Sequence, residues 1–228
     1  MRFARQNHRK RNGGLTLIDI LAIVAVMALL AALLIPKLIR AKRMASRIMC
    51  VNNLAHTGLA FRTWSADHTN NFPMSVPQTN GGTMEFITGP NAFRHFQIMS
   101  NDLVTPKVLF CPAECDRARE LASAWDTNWP YPPVISGNSN ISYFVGIDAN
   151  ETNPWMILAG DHNITNGTPL KNSILEATTN FAAGWTADMH IKIGNILLAD
   201  GSVQQVDTSG LRKLVADASL ATNRLQMP

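Results

Sequence analysis

The chain has 228 residues, 46% of them hydrophobic and only 16% charged, with a formal charge of +4 at pH 7. Five of its 20 Lys and Arg residues fall within the first 14 positions, and the 15 that follow face 16 Asp and Glu, so the body of the chain is close to neutral. A neutral body gives nucleic acid no electrostatic footing, and the length suits one core rather than several.

The leader carries Arg2, Arg5, Arg9, Lys10 and Arg11 with no acid, then Gly13 and Gly14. Leu15–Ile35 follows, 21 residues in which only Thr16 and Asp19 are polar. At 1.5 Å per residue such a helix spans roughly 30 Å, the hydrocarbon thickness of a bilayer. A carboxylate placed there costs at least ~2.5 kcal/mol. A basic stretch before an apolar run is the general shape of an export signal, but this run is too long for a cleaved signal peptide. It ends in Pro36-Lys37-Leu38-Ile39-Arg40 rather than a small-x-small site, and its small residues precede it. Lys37, Arg40, Lys42, Arg43 and Arg47 balance the leader's five charges, so counting positive charges leaves the orientation tied.

Gly14-Leu15-Thr16-Leu17-Ile18-Asp19 behind a basic leader resembles the processing signal of type IV pilins and pseudopilins. The family usually has Phe or Met where Leu15 stands and Glu where Asp19 stands. Pro36 falls where pilin helices often carry a kinking proline. The resemblance implies that a membrane prepilin peptidase cuts after Gly14 and methylates the new amino terminus at Leu15. It implies that Asp19 pairs with the Leu15 amine of a neighbouring subunit during assembly, because a buried charge left unpaired costs about 3–5 kcal/mol. It further implies a single-pass protein of a bacterial inner membrane with its head in the periplasm, or outside the cell in a filament. Like subunits are the expected partners, and a membrane platform protein and an assembly ATPase act indirectly. A structural, non-enzymatic role follows, in a type II secretion pseudopilus or, second, a type IV pilus. The rival reading is a signal-anchored extracytoplasmic binding or hydrolytic module that forms no filament.

Beyond Pro36 the helical pattern resumes. Cys50, Leu54, Thr57, Phe61 and Trp64 lie four, three, four and three residues apart, one stripe of an amphipathic helix. Asp67-His68-Thr69-Asn70-Asn71-Phe72-Pro73 stops it. The expectation is one helix from Leu15 to about His68, on the order of 80 Å long, kinked at Pro36. The chain then divides into a leader (1–14), a transmembrane or filament-core segment (15–35), an amphipathic continuation (36–70) and a globular head (71–228). The fold class expected is α+β and pilin-like, with the long N-terminal helix packed on a C-terminal antiparallel sheet.

Within the head, 75–91 reads as loops with one strand at most. Phe93–Met99 reads as a short helix, Val108-Leu109-Phe110 as a buried strand, and 116–124 as a helical turn or two. Trp129-Pro130-Tyr131-Pro132-Pro133 cannot be helical. Ile141–Ile147 and Trp155–Ala159 read as strands. Of three cysteines, Cys111 and Cys115 are candidates for a local disulfide that leaves Cys50 over. Free thiols are the alternative. A metal reading of Cys111-Pro-Ala-Glu-Cys115 lacks a second ligand pair.

Near the C-terminus, 195–199 and 202–206 read as strands around Asp200-Gly201, expected as a type I′ turn. Thr208 or Ser209 then caps a helix running to about Asn223. His190 precedes Asp200-Gly201 by nine intervening residues, and this spacing resembles the C-terminal signature of a bacterial pilin-like subgroup. His190 and Asp200 could meet across the hairpin, although Asp200 could equally serve only the turn. Asp148, Asp161, Asp188 and Asp200 offer oxygens for a candidate Ca²⁺ site, without the loop spacing of a dedicated one. No other cofactor is implied. Nucleophile-elbow, phosphate-loop, zinc-protease and dinucleotide motifs are all missing. Asp161-His162 is not a catalytic pair, since neighbours on a strand point to opposite faces.

Overall fold

The computed structural model describes residues 16–125, 134–179 and 183–228. Gly14 and Leu15, with the rest of the leader, and the Trp129–Pro133 stretch lie outside the described residues. The layout is α+β: one long apolar N-terminal helix and a C-terminal antiparallel sheet.

The helix α1 (Leu17–Asp67) has 51 residues and contains Pro36. Proline has no N–H, so the carbonyl of Ala32 loses its helical partner there while the helix continues. The chain separates into two compact units, one ending at Arg43 and the other running Met44–Pro228. In the first unit every described side chain is exposed. Through its apolar first part, α1 is the one helix among the described residues with the length and composition to cross a membrane.

In the second unit the expected stripe is the buried one: Cys50, Leu54, Thr57 and Phe61 have no exposed surface, and Trp64 has 6%. The stop is as expected too. Thr69 and Asn70 take left-handed φ values of 57°, and the N–H groups of His68 and Asn70 both close on the Ser65 carbonyl.

The segment after α1 is built from turns rather than strands. Besides the short helices α2 (Ala92–Gln97) and α3 (Ser100–Leu103), it forms 3-10 turns at Pro73–Ser75, Gln78–Asn80, Met84–Phe86, Pro106–Leu109 and Asn138–Asn140. The strand expected at 108–110 is therefore largely one of these turns: Pro106 sits at its start, and Thr105 caps it by accepting the Lys107 N–H. Leu109 is still fully buried, so the apolar run marked burial and not geometry. No helix forms at 116–124, where the Asp116 carboxylate instead accepts the Ala118 N–H in a turn.

The sheet has six strands, β1 (Tyr143–Gly146), β2 (Ile157–Asp161), β4 (Ile174–Thr178), β6 (Ile193–Leu198), β7 (Val203–Asp207) and β8 (Thr222–Gln226), in the order β4-β8-β1-β2-β6-β7. All its pairings are antiparallel. A separate ribbon joins β3 (Ile164–Thr165) to β5 (Gly184–Trp185). Both faces of the sheet are covered. Tyr143, Val145 and Leu197 pack in the cluster that holds Cys50, Leu54 and Phe61 of α1. The alternating residues Phe144, Ile196 and Leu198 pack with Leu211, Leu214 and Val215 of α4 (Thr208–Asp217). A bulge between Ile157 and Ala159 breaks this alternation in β2.

Two C-terminal expectations change. Around Asp200-Gly201 only Gly201 has positive φ, at 88°. The Gly201 N–H bonds the Leu198 carbonyl at 2.9 Å and the Leu198 N–H bonds the Ser202 carbonyl at 2.9 Å. This is a three-residue loop ending in a left-handed glycine, not a two-residue type I′ turn. The helix α4 ends at Asp217 and is capped by Asp207, whose Oδ1 accepts the Gly210 N–H at 2.8 Å. The residues beyond it turn back as β8, between β4 and β1.

Candidate functional site

Two places concentrate the chemistry. The first is the start of α1. The Asp19 carboxylate turns back to Thr16, where Oδ2 accepts the backbone N–H at 2.9 Å and the hydroxyl at 2.7 Å. The Asp19 N–H in turn points at the Thr16 hydroxyl, 3.4 Å away. This is a capping box, in which an acid at the third helical position satisfies the N–H that the helix leaves open. The only two polar residues of the apolar run are thus partners of each other.

The second place is a buried polar cluster behind a disulfide. Cys50 bonds Cys111, with Cα atoms 5.3 Å apart, and Cys115 is free and exposed. This corrects the expected Cys111–Cys115 bridge. Cys50 lies on the buried stripe of α1, and both its sulfur and that of Cys111 are fully enclosed. A turn after Cys111, closed by the Glu114 N–H on the Cys111 carbonyl at 2.9 Å, carries Cys115 back to the surface.

His190 Nε2 lies 3.4 Å from Cys111 Sγ and 3.4 Å from Asp161 Oδ2. Asp161 ends β2 opposite Asn195 of β6, and its Oδ2 accepts the Asn195 backbone N–H at 2.8 Å and side-chain amide at 2.9 Å. Its other oxygen, Oδ1, is buried with no partner. Burial pushes the Asp161 carboxyl up to about 7 against the opposing pull of the Asn195 bonds. Burial, helped by the nearby Arg47 guanidinium, pushes His190 down to about 4. The contact therefore joins a neutral imidazole to a carboxyl that titrates near neutrality, not a permanent ion pair. The backbone around His190 is strained, since Met189, Ile191 and Lys192 all have φ between 56° and 60°. Arg47 of α1 holds this loop through the His190 carbonyl at 3.1 Å.

Glu114 forms a second network beside the first. Its Oε2 accepts the Ser142 hydroxyl at 2.9 Å and meets His162 Nε2 at 2.8 Å, while Oε1 accepts the N–H groups of Cys115 and Asp116. Burial raises its pKa, but the bond and charge of His162 and the bonds from Asp116 and Ser142 outweigh this and hold it at about 2. Asp161 and His162 do serve different partners, as strand alternation requires.

The structure separates the other carboxylates. Asp200 accepts the Ser202 N–H at 2.8 Å and so serves the turn, while its carbonyl accepts from Arg62 of α1. Asp188 accepts the Thr186 hydroxyl, and Asp148 pairs with Arg224. His190 and Asp200 thus have different partners, and Asp148, Asp161, Asp188 and Asp200, the residues weighed for Ca²⁺, bond to separate neighbours. Sequence reasoning passed over Asn195 and Glu114. The signal for each was a polar residue inside an otherwise apolar or cysteine-flanked run. No protein-family profile matches this chain, and neither a curated protein nor a solved structure is similar to it at a significant level.

Proposed function

We propose that the protein is a pilin-like structural subunit, processed after Gly14 and assembled through its N-terminal helix into a secretion pseudopilus or a type IV pilus-like filament. One observation carries the reading. Every described side chain of the apolar segment is exposed, and its single acid stands five residues after a glycine that ends a basic leader. A surface so apolar requires lipid or other copies of itself. Leaving the bilayer for a bundle of like helices exchanges lipid contacts for protein contacts, and Asp19 supplies the charge that fixes register. Asp19 Oδ2 is already committed to Thr16, so a neighbouring Leu15 amine is to be met by Oδ1. The head, hung on the second half of the same helix by the disulfide and by Arg47 and Arg62, forms the outer part of the filament. Among the described residues the polar clusters are buried and bonded mainly to one another, as suits a structural role better than a hydrolytic one.

Mass spectrometry of the protein extracted from membranes tests this. A mature chain beginning at a methylated Leu15 is expected. A chain that retains its arginine-rich leader overturns the reading.

A further inference from the structure

We infer that Cys50, Cys111, His190 and Asp161 form a closed zinc site when the two cysteines are thiols rather than a disulfide. The inference is independent of the filament reading.

The donor atoms of Cys50, Cys111 and His190 lie within 4.8 Å of one another. A tetrahedral zinc with thiolate, imidazole and carboxylate ligands at 2.0–2.3 Å places those atoms about 3.3–3.7 Å apart. His190 Nε2 already meets both of its edges, 3.4 Å to Cys111 Sγ and 3.4 Å to Asp161 Oδ2. The two sulfurs, bonded to each other, are too close; cleaving that bond frees them to part, and Asp161, which stands outside the group of three, completes the site by closing toward them. Asp161 meets the remaining need. Its Oδ1 is buried without a hydrogen-bond partner, an arrangement costly to leave unmet. Its Oδ2 is held in place by Asn195, as outer groups commonly hold metal ligands. Two thiolates, an imidazole and a carboxylate suit zinc better than calcium or magnesium. With side-chain exposures of 0% for Asp161 and 1% for His190, the site is shut, as structural zinc sites are.

Cysteine enters every chain as the thiol, so the zinc form precedes the disulfide during maturation. Zinc displaces the two thiol protons to solvent and keeps its charge. A disulfide oxidant then takes two electrons from the two thiolates and two protons from solvent to become a dithiol, the Cys50–Cys111 bond forms, and Zn²⁺ leaves. A dithiol reductant reverses the sequence, giving two electrons and two protons to the bond.

The test uses the full-length protein in detergent, reduced by a phosphine without oxygen, freed of excess reductant and offered Zn²⁺ or Co²⁺. One zinc per reduced chain is expected to survive gel filtration, and none per oxidised chain. Co²⁺ is expected to give the intense visible bands of a tetrahedral site together with a thiolate-to-cobalt charge-transfer band. His190→Ala and Asp161→Asn are expected to weaken zinc binding by roughly 10- to 100-fold or more, and Cys115→Ser is expected to change nothing. Circular dichroism of the same samples follows folding. The inference is overturned if the reduced, folded chain takes up no zinc, or if His190→Ala binds it equally well. It is overturned also if Cys115→Ser abolishes uptake, or if the reduced chain unfolds and zinc does not restore it.

Discussion

The Asp19 carboxylate closes the first turn of α1 on Thr16, accepting both its backbone N–H and its hydroxyl through Oδ2. Capping and subunit pairing make different demands on this side chain, so they can be separated. Asp19→Ala removes both and loosens the helix start. Asp19→Asn keeps an oxygen for the Thr16 N–H but removes the charge. Both variants are expected to be cleaved after Gly14 and both to be missing from sheared filaments, as followed by immunoblot. Normal incorporation of Asp19→Asn would reduce Asp19 to a helix cap.

The Cys50–Cys111 bridge spans 61 positions of sequence and ties α1 to the head. Restricting a loop of that length in the unfolded chain contributes about 4 kcal/mol in the chain-entropy account. The Cys50→Ala/Cys111→Ala double variant is expected to unfold roughly 10 °C below the oxidised protein, measured by circular dichroism in detergent with a chelator present. Cys115→Ala, at an exposed free thiol, is expected to leave the midpoint within about 1 °C. Equal midpoints for the double variant and the parent would show that the bridge does not stabilise the fold.

What could be read from the sequence, and what could not, divides along physical lines. Cys50, Leu54, Thr57, Phe61 and Trp64 announce a buried face because helical periodicity is local and repeats over several turns. The hairpin of β6 and β7 and the strands at 143–146 and 157–161 were legible from equally local signals, the Asp200-Gly201 turn and runs of β-branched and aromatic residues. β8 was not: Thr222-Asn-Arg-Leu-Gln has one large apolar residue, and its place between β4 and β1 is decided by partners distant in sequence. The 3-10 turn at Pro106–Leu109 has the composition of a buried strand, since short apolar runs report burial and not conformation. Within the site, His190 was marked by spacing, whereas its contacts with Cys111 and Asp161 join three separate segments and leave no local trace. The cysteine pairing failed likewise, because proximity in sequence is a poor guide to which sulfurs the core brings together.

His95 gives the protein a pH dependence of definite sign. It is fully buried between Thr83 Oγ1 and Gln226 Oε1, each 2.7 Å from a ring nitrogen. Burial lowers its pKa from 6.5 to about 4, partly opposed by the Gln226 bond. Between those values His95 is protonated in the unfolded chain and neutral in the folded one, so the stability it contributes rises with pH through this window and is lost as pH falls from 6.5 toward 4, while the raised Asp161 carboxyl acts in the opposite sense. The loss is about 3 kcal/mol over the window, at 1.36 kcal/mol per pKa unit. His95→Gln, which cannot titrate, is expected to flatten the curve of unfolding free energy against pH by about that amount between pH 4 and 6.5. An unchanged slope in urea titrations of the variant would remove His95 as the cause.

Gly146 tests whether the sheet is as tightly drawn as its geometry implies. It lies in β1 between β8 and the bulged start of β2, and a Cβ there would stand 1.9 Å from the Ile157 carbonyl oxygen. That oxygen belongs to the backbone and cannot swing aside as a side-chain tip can, so one strand must shift and break ladder bonds. Gly146→Ala is expected to lower the unfolding free energy by about 2 kcal/mol or more. Gly137→Ala provides the comparison. Its backbone is fully extended at φ −177°, a conformation any residue adopts, and a Cβ there meets no atom of the described residues within 4 Å. With no clash to offset it, the loss of freedom in the unfolded chain is expected to leave Gly137→Ala neutral or about 0.4–1 kcal/mol more stable. Denaturant unfolding of the two variants side by side measures the difference. Equal stability would mean that β1 and β2 are free to move apart, contrary to the register given by Val145 opposite Ala159.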